Sequence, residues 1–220
     1  MESKTPVVLV VLVDTTRLRW LVASLALDGA FVPILCSEDG DLATIRQPLD
    51  FYGVNYYSPL RIAAAPGESP SPFEMVEVLG RPHTDAGWAV VPEALQEWLI
   101  TTRARYRAAM PPMVVTECGA AYRVEPAADG SFDDQARIDF LAAHLDAVAT
   151  AIARGVDIRG FYVWSLLDCW EWEDGFTSRY GLVDVDRHTQ QRTPKRSFQW
   201  YADLVAAHRR AHAAPERPAT

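Results

Sequence analysis

The apolar positions of this chain fall into runs separated by polar and turn-forming breaks. Val7 to Val13 is an unbroken aliphatic run closed by Asp14, which predicts a buried strand. Trp20 to Leu27 and Ala30 to Cys36 flank Asp28-Gly29, a hairpin signal because both turn positions tolerate positive φ. Residues 7–36 therefore predict a β-meander. A helix over Arg17 to Leu27 is the competing reading, since Leu and Ala favour helix. Ser37 to Asp41 is polar and predicts a boundary. Asp50 to Tyr57 reads as a buried strand, and Ala63 to Pro82, rich in Pro, Gly, Ala and Ser, as a mobile loop.

Pro92 suits the first turn of a helix over Glu93 to Ala109, where its missing N–H is not needed. Leu95, Trp98, Leu99 and Tyr106 would form that helix's apolar face. Pro111-Pro112 stops it, and Met113 to Thr116 predicts a strand that delivers Glu117. Asp133-Asp134 predicts the cap of a helix running to Arg154, with Ile138, Leu141, Leu145, Val148 and Ile152 as its buried stripe and Gly155 as its stop. Phe161 to Val163 is the next buried strand, and Leu182 to Asp186 a short one. A last helix is expected over Pro194 to His208, and Ala211 to Thr220 reads as a disordered tail. Strand alternating with helix predicts an α/β fold with a parallel sheet.

Composition narrows the function. With 220 residues and 49% hydrophobic content, one sizeable core is available. A net charge of −8 argues against nucleic acid, whose phosphates need a basic surface. Cys36, Cys118 and Cys169 are scattered, with neither metal-ligand spacing nor a disulfide framework, which predicts a cytoplasmic home. The Val7 to Val13 run is too short to span a membrane, and no signal peptide is read. The five histidines show no paired spacing and read as surface or loop residues.

The chemistry concentrates in Gly160 to Gly181. Trp164, Trp170 and Trp172, three of the seven tryptophans, lie there among Asp168, Glu171, Glu173 and Asp174. Indole faces stack on the apolar face of a sugar ring, and carboxylates accept bonds from vicinal hydroxyls. A core strand followed by an acidic loop with packing tryptophans accounts for the same residues equally well.

Recurring motifs separate those readings. Trp164, Ser165, Leu166, Asp168, Glu171 and Trp172, with Gly175, Arg179, Tyr180 and Gly181, resemble the last barrel strand and following loop of glycoside hydrolase family 1, the β-glucosidase family. Asp50-Phe51-Tyr52-Gly53-Val54-Asn55-Tyr56-Tyr57, Gly87-Trp88 with Pro92, Thr116-Glu117 and Arg192-Thr193-Pro194-Lys195 resemble its other motifs. The resemblance runs from about Asp39 to about Ala207 and leaves the first 38 residues outside the family. It implies a partial (β/α)8 TIM barrel made of the last three β/α units, with the N-terminal β-meander added. It implies Glu117 as the nucleophile of a retaining hydrolase, Tyr57 as its hydrogen-bond donor, and Asn55, Trp164, Glu171, Trp172 and Tyr180 as sugar-binding residues. It brings no cofactor and no metal. The implied ligand is a β-glucoside or short oligosaccharide, with no nucleic acid and no membrane.

The chain departs from the family in two respects. Cys118 and Cys169 stand where the motifs carry asparagine, which removes a two-way amide hydrogen-bonder at each place. The family's acid/base motif, Asn-Glu-Pro, does not occur; Val124-Glu125-Pro126 has the wrong context. The implied reading is a β-glucosidase-like hydrolase lacking its acid/base half, and the alternative is a non-catalytic sugar- or partner-binding remnant. Exposed sheet edges would favour self-association or a complementary half-barrel chain.

Overall fold

The computed structural model describes the backbone of residues 21–27 and 30–35, and residues 48–65 and 73–212 in full. The expected strand over 7–14, the junction at 37–41 and the residues after 212 lie outside the described residues. Strands β1 (Leu21–Leu27) and β2 (Ala30–Leu35) are antiparallel, with Leu27 opposite Ala30, so Asp28-Gly29 connects them. This decides for strand over helix at Leu21 to Leu27. The pair forms a sheet of its own and adds no strand to the main sheet.

Strand β3 (Tyr52–Tyr56) begins the main sheet. The segment expected to be a mobile loop instead carries two antiparallel strands, β4 (Arg61–Ala64) and β5 (Phe73–Val76). Helix α1 (Pro92–Tyr106) follows, with Pro92 in its first turn as expected. Strand β6 (Met113–Cys118) runs one residue past Glu117. Helix α2 (Gln135–Ala153) leads through Gly155, at φ +86°, to strand β7 (Ile158–Val163). Strands β8 (Val183–Val185) and β9 (Arg192–Pro194) pair antiparallel, and helix α3 (Arg196–His212) closes the described chain. Pro194 therefore ends a strand and does not open the helix. Residues 211 and 212 are helical and do not belong to the expected tail.

The main sheet has the order β3-β6-β7, and both pairs are parallel. This is the neighbour order expected from the β/α alternation. One face of it is a core: Val54, Tyr56, Met113 and Val115 join Leu95 and Leu99 of α1 and Phe140 and Leu141 of α2 in one buried cluster. Burying each such aliphatic or aromatic side chain contributes about 1.5–3 kcal/mol. The other face is open among the described residues. Gly53 and Asn55 of β3 are exposed, and Thr116 and Glu117 of β6 are half-buried. Alternation, shifted by one residue at the register irregularity between Val115 and Glu117, thus sends the apolar set to the helices and the polar set to the opposite face.

Three further expectations are corrected. Tyr106 and Ile152 are exposed and outside the apolar faces assigned to them. The Asp134 side chain makes no capping bond to the backbone of its own helix. Its carboxylate accepts the Ser197 backbone N–H at 2.8 Å and the Ser197 hydroxyl, so it caps the first turn of α3. The histidines are neither unpaired nor all superficial. His208 and His212 lie one turn apart on α3 with ring centroids 4.2 Å apart.

His144 is fully buried on α2, stacked on Phe140 at 3.9 Å, with Nδ1 2.7 Å from the Phe140 carbonyl. That carbonyl only accepts, so Nδ1 carries the hydrogen. Nε2 has no partner among the described residues. Burial pushes the imidazole down to about 4, against a smaller upward pull from the Phe140 carbonyl. The unfolded chain takes up this proton near 6.5 and the folded chain does not. Stability is therefore full above pH 6.5 and falls as pH drops toward about 4, by roughly 3 kcal/mol for this group. We expect urea unfolding to show a steeper loss between pH 6.5 and 4.5 in the native chain than in His144→Leu. Parallel pH profiles would dismiss the assignment.

Candidate active site

The open sheet face ends in three loops that carry the polar groups. Tyr57 follows β3 directly and Glu117 is the penultimate residue of β6. The Tyr57 hydroxyl donates to Glu117 Oε2 at 2.6 Å. Burial first, and the bond to Glu117 second, push the Tyr57 phenol far above its ordinary range, so it is a neutral donor. One carboxylate oxygen is fixed by that bond and Oε1 is left without a partner among the described residues. Asn55 faces Glu117 in the β3–β6 register, and its Oδ1 accepts the Thr116 hydroxyl at 2.6 Å. Asn55 is thus tied to the residue before Glu117.

Trp164 follows β7, and its N–H donates to the Cys118 carbonyl at 3.1 Å. Its indole Nε1 donates to Glu171 Oε1 at 3.2 Å, and the Cys169 thiol reaches the same oxygen at 3.4 Å. Two glycines make the close approach of these loops possible. A Cβ on Gly119 would sit 1.8 Å from the Trp164 carbonyl oxygen, and one on Gly181 2.2 Å from the Asp168 nitrogen. The Trp164–Ser165 peptide is cis.

Charged anchors hold the loop that presents Glu171. Buried Lys195 donates to Asp168 Oδ2 at 2.8 Å and to the Gly181 carbonyl at 2.8 Å. The Gly181 N–H donates to Asp168 Oδ1 at 2.7 Å. Arg179 pairs with Asp184 and lies 3.6 Å from Asp168. Asp168 is therefore structural, linking both ends of the loop, and Lys195, the residue just before α3, joins the start of that helix to the same cluster.

Tyr180 is 4% exposed and meets Tyr57 edge-on, with centroids 6.0 Å apart. Burial, then the charges of Glu171 and Asp174, push its phenol up to about 12. Trp88 also meets Tyr57, at 5.4 Å, and Tyr180, at 6.3 Å, while remaining 41% exposed. The sequence reading used Gly87-Trp88 only as a helix entry. The signal it passed over was an aromatic residue in a loop that follows a site-bearing strand.

Trp172, the residue after Glu171, is 86% exposed and packs edge-on against Trp170 at 5.5 Å. Bonds and ring contacts link Tyr57 with Glu117 and Tyr180, Asn55 with Thr116, and Trp164 with Glu171. Among the described residues no group of three or more His, Cys, Asp or Glu side chains is placed to hold a metal ion. No helix there is long and apolar enough to cross a membrane.

Removing the Tyr57 hydroxyl should be felt at Glu117. A hydrogen bond to a charged group contributes about 1.5–3 kcal/mol. We expect Tyr57→Phe to slow any reaction that uses the Glu117 carboxylate by about 10- to 100-fold. Stopped-flow release of phenolate from an activated aryl glucoside reads this, and an unchanged rate would show that the bond is not used.

Known proteins are similar to this chain in sequence and in fold. A bifunctional β-D-glucosidase/β-D-fucosidase of Bifidobacterium breve is 40% identical over 186 residues, covering 77% of this chain and 40% of that protein. A 6-phospho-β-galactosidase of Streptococcus equi subsp. zooepidemicus is 35% identical over 187 residues, covering 77% and 39%. Among solved structures, the family 1 β-glucosidase of Thermotoga maritima superposes with a TM-score of 0.71 at 39% identity, over 76% of this chain and 37% of that one. The same enzyme with deoxynojirimycin gives 0.70. The chain thus spans about two fifths of the length of these relatives. The pattern that defines Glycosyl hydrolase family 1 matches residues 28–210, starting before the expected residue 39 and taking in β2. With the strand-end glutamate and its tyrosine in place, and most of its length matched, this chain belongs to glycosyl hydrolase family 1.

Proposed function

We propose that this chain is the nucleophile-bearing part of a retaining β-glucoside hydrolase. The observation that carries the reading is the Tyr57–Glu117 pair at neighbouring strand ends, beside Trp164 and Glu171. Retaining hydrolases use two carboxyl groups about 5–5.5 Å apart, one as nucleophile and one as acid/base. In this reading Glu117 Oε1 attacks the anomeric carbon while Tyr57 holds Oε2. The bond from that carbon to the aglycone oxygen breaks, its electron pair leaves with the aglycone, and a glycosyl ester forms on Glu117. Glu171 Oε2 accepts hydroxyls of the sugar, Trp164 and Tyr180 flank it, and Asn55 steadies the Glu117 corner. The substrate is a β-glucoside or short oligosaccharide.

No Asn-Glu-Pro segment supplies the second carboxyl group in this sequence. That absence favours a second reading, a non-catalytic sugar- or partner-binding module. An aryl β-glucoside whose phenol is a good leaving group separates the two, because it needs little protonation on departure. The first reading expects a burst of about one phenolate per chain and then a stalled ester, visible as one added hexose by mass spectrometry. Binding of deoxynojirimycin without any burst selects the second.

The open face also bears on assembly. Phe51, Tyr162, Leu166 and Trp170 are all about half or more exposed, and β3 and β7 each pair on one side only among the described residues. Unpaired edges and exposed large apolar side chains favour pairing with another chain. We expect light scattering to show an apparent mass that rises with concentration. A constant monomeric mass would mean that this chain closes its own surface.

A further inference from the structure

We infer that Cys169 is a positioning residue for Glu171, fixing through its thiol which carboxylate oxygen meets the sugar. This rests on the reading of Glu171 as a sugar-binding group. The backbone of Glu171 is already pinned: its N–H donates to the Gly175 carbonyl at 2.6 Å, and the Gly175 N–H returns to the Glu171 carbonyl at 2.9 Å. Only the side-chain torsions are left to set. Two donors set them, the Trp164 indole and the Cys169 thiol, and both converge on Oε1. Oε2 has no partner among the described residues and is the oxygen a ligand hydroxyl can reach.

The direction of the thiol bond follows from its surroundings. The Ser165 hydroxyl gives its hydrogen to the Leu167 carbonyl at 2.7 Å, so it has none to offer the sulfur 3.9 Å away. The Glu171 oxygen, at 3.4 Å, is the nearer acceptor. Desolvation, with the neighbouring charges of Glu171 and Asp168 adding to it, keeps the thiol protonated and therefore a donor. Without it, one indole N–H would have to hold a carboxylate against rotation about the Cγ–Cδ bond. Both oxygens would then exchange places in front of the ligand.

The test uses the whole chain with deoxynojirimycin as probe, read by tryptophan fluorescence, and the Trp164 indole N–H resonance assigned through Trp164→Phe. Cys169→Ala should weaken probe binding about three- to tenfold, the worth of one hydrogen bond, and should move the Trp164 indole resonance. Cys169→Ser keeps a donor of similar size and should restore both. An unmoved indole resonance in Cys169→Ala, or unchanged binding there, overturns the inference, as does a Cys169→Ser chain that behaves like Cys169→Ala. Failure of the underlying reading looks different: the native chain and Glu171→Ala would then respond equally little to the probe, and the role assigned here would fall with it. Melting curves of all variants guard against reading an unfolded chain as a repositioned side chain.

Discussion

Glu117→Gln should remove the phenolate burst altogether and lower any residual turnover of an activated aryl glucoside by on the order of 10^4-fold or more, as removal of a covalent nucleophile does. The amide is nearly the same size and still accepts the Tyr57 hydroxyl through its oxygen, so the 2.6 Å contact has a substitute and the fold has no reason to change. Charge and nucleophilicity alone are lost. Sugar binding, which in the proposed reading rests on Glu171 and Trp164, should survive within a few-fold. That combination, binding kept and burst lost, separates a nucleophile from a structural carboxylate. If Glu117→Gln still accumulates a glycosyl ester, the nucleophile lies elsewhere. If it loses probe binding and melts early, Glu117 serves the fold.

The sheet and its two covering helices were legible because each is written twice in the sequence. Val54, Met113 and Val115 are apolar in strand-length runs, and Leu95, Leu99 and Leu141 recur at helical spacing, so local pattern and tertiary need agree. The residues at the strand ends were legible for a separate reason. A glutamate just after an apolar run, and a tyrosine just after another, can only emerge on one end of a parallel sheet.

What failed to show in the sequence depends on partners distant along the chain. Residues 61–64 and 73–76 lack strong strand character and pair only with each other, so nothing local marks them. Asp134 carries a real cap signal, but the helix N-terminus it serves is that of α3, sixty-three residues on. His144 was readable. It sits three residues after Leu141 and four before Val148, on the same helical stripe, and an apolar stripe predicts burial for whatever residue it contains.

Arg137→Met should cost about 3–5 kcal/mol of stability and lower the melting temperature by on the order of 10 °C. Its guanidinium is fully buried and serves five acceptors at once. It pairs with Asp134 at 2.9 Å, and donates to the carbonyls of Ala120, Tyr122, Arg179 and Tyr180. Ala120 and Tyr122 follow Glu117 in the chain, while Arg179 and Tyr180 close the loop that carries Glu171. One side chain on α2 therefore joins the two loops on which the proposed chemistry depends. Methionine matches the aliphatic stem and fills much of the volume, so the loss measured is chiefly electrostatic. It leaves the Ala120 and Tyr122 carbonyls without a donor among the described residues, takes one of two donors from the Arg179 and Tyr180 carbonyls, which keep the Tyr122 and Ser165 N–H groups, and leaves a buried carboxylate held only by Ser197. Adding Asp134→Asn to Arg137→Met should recover part of the loss, because the uncompensated buried charge is gone while the amide oxygen keeps the Ser197 N–H and the amide N–H can donate to the Ser197 hydroxyl oxygen. The Ala120 and Tyr122 carbonyls remain unserved, so recovery should be incomplete, and Tyr180 should loosen from Tyr57 in both variants. Chemical unfolding of the single and double variants reads the first claim, and the Tyr180 ring resonances read the second. A single variant that loses less than about 1 kcal/mol, the scale of an exposed ion pair, would mean that these carbonyls find other donors and that Arg137 does not hold the loops together.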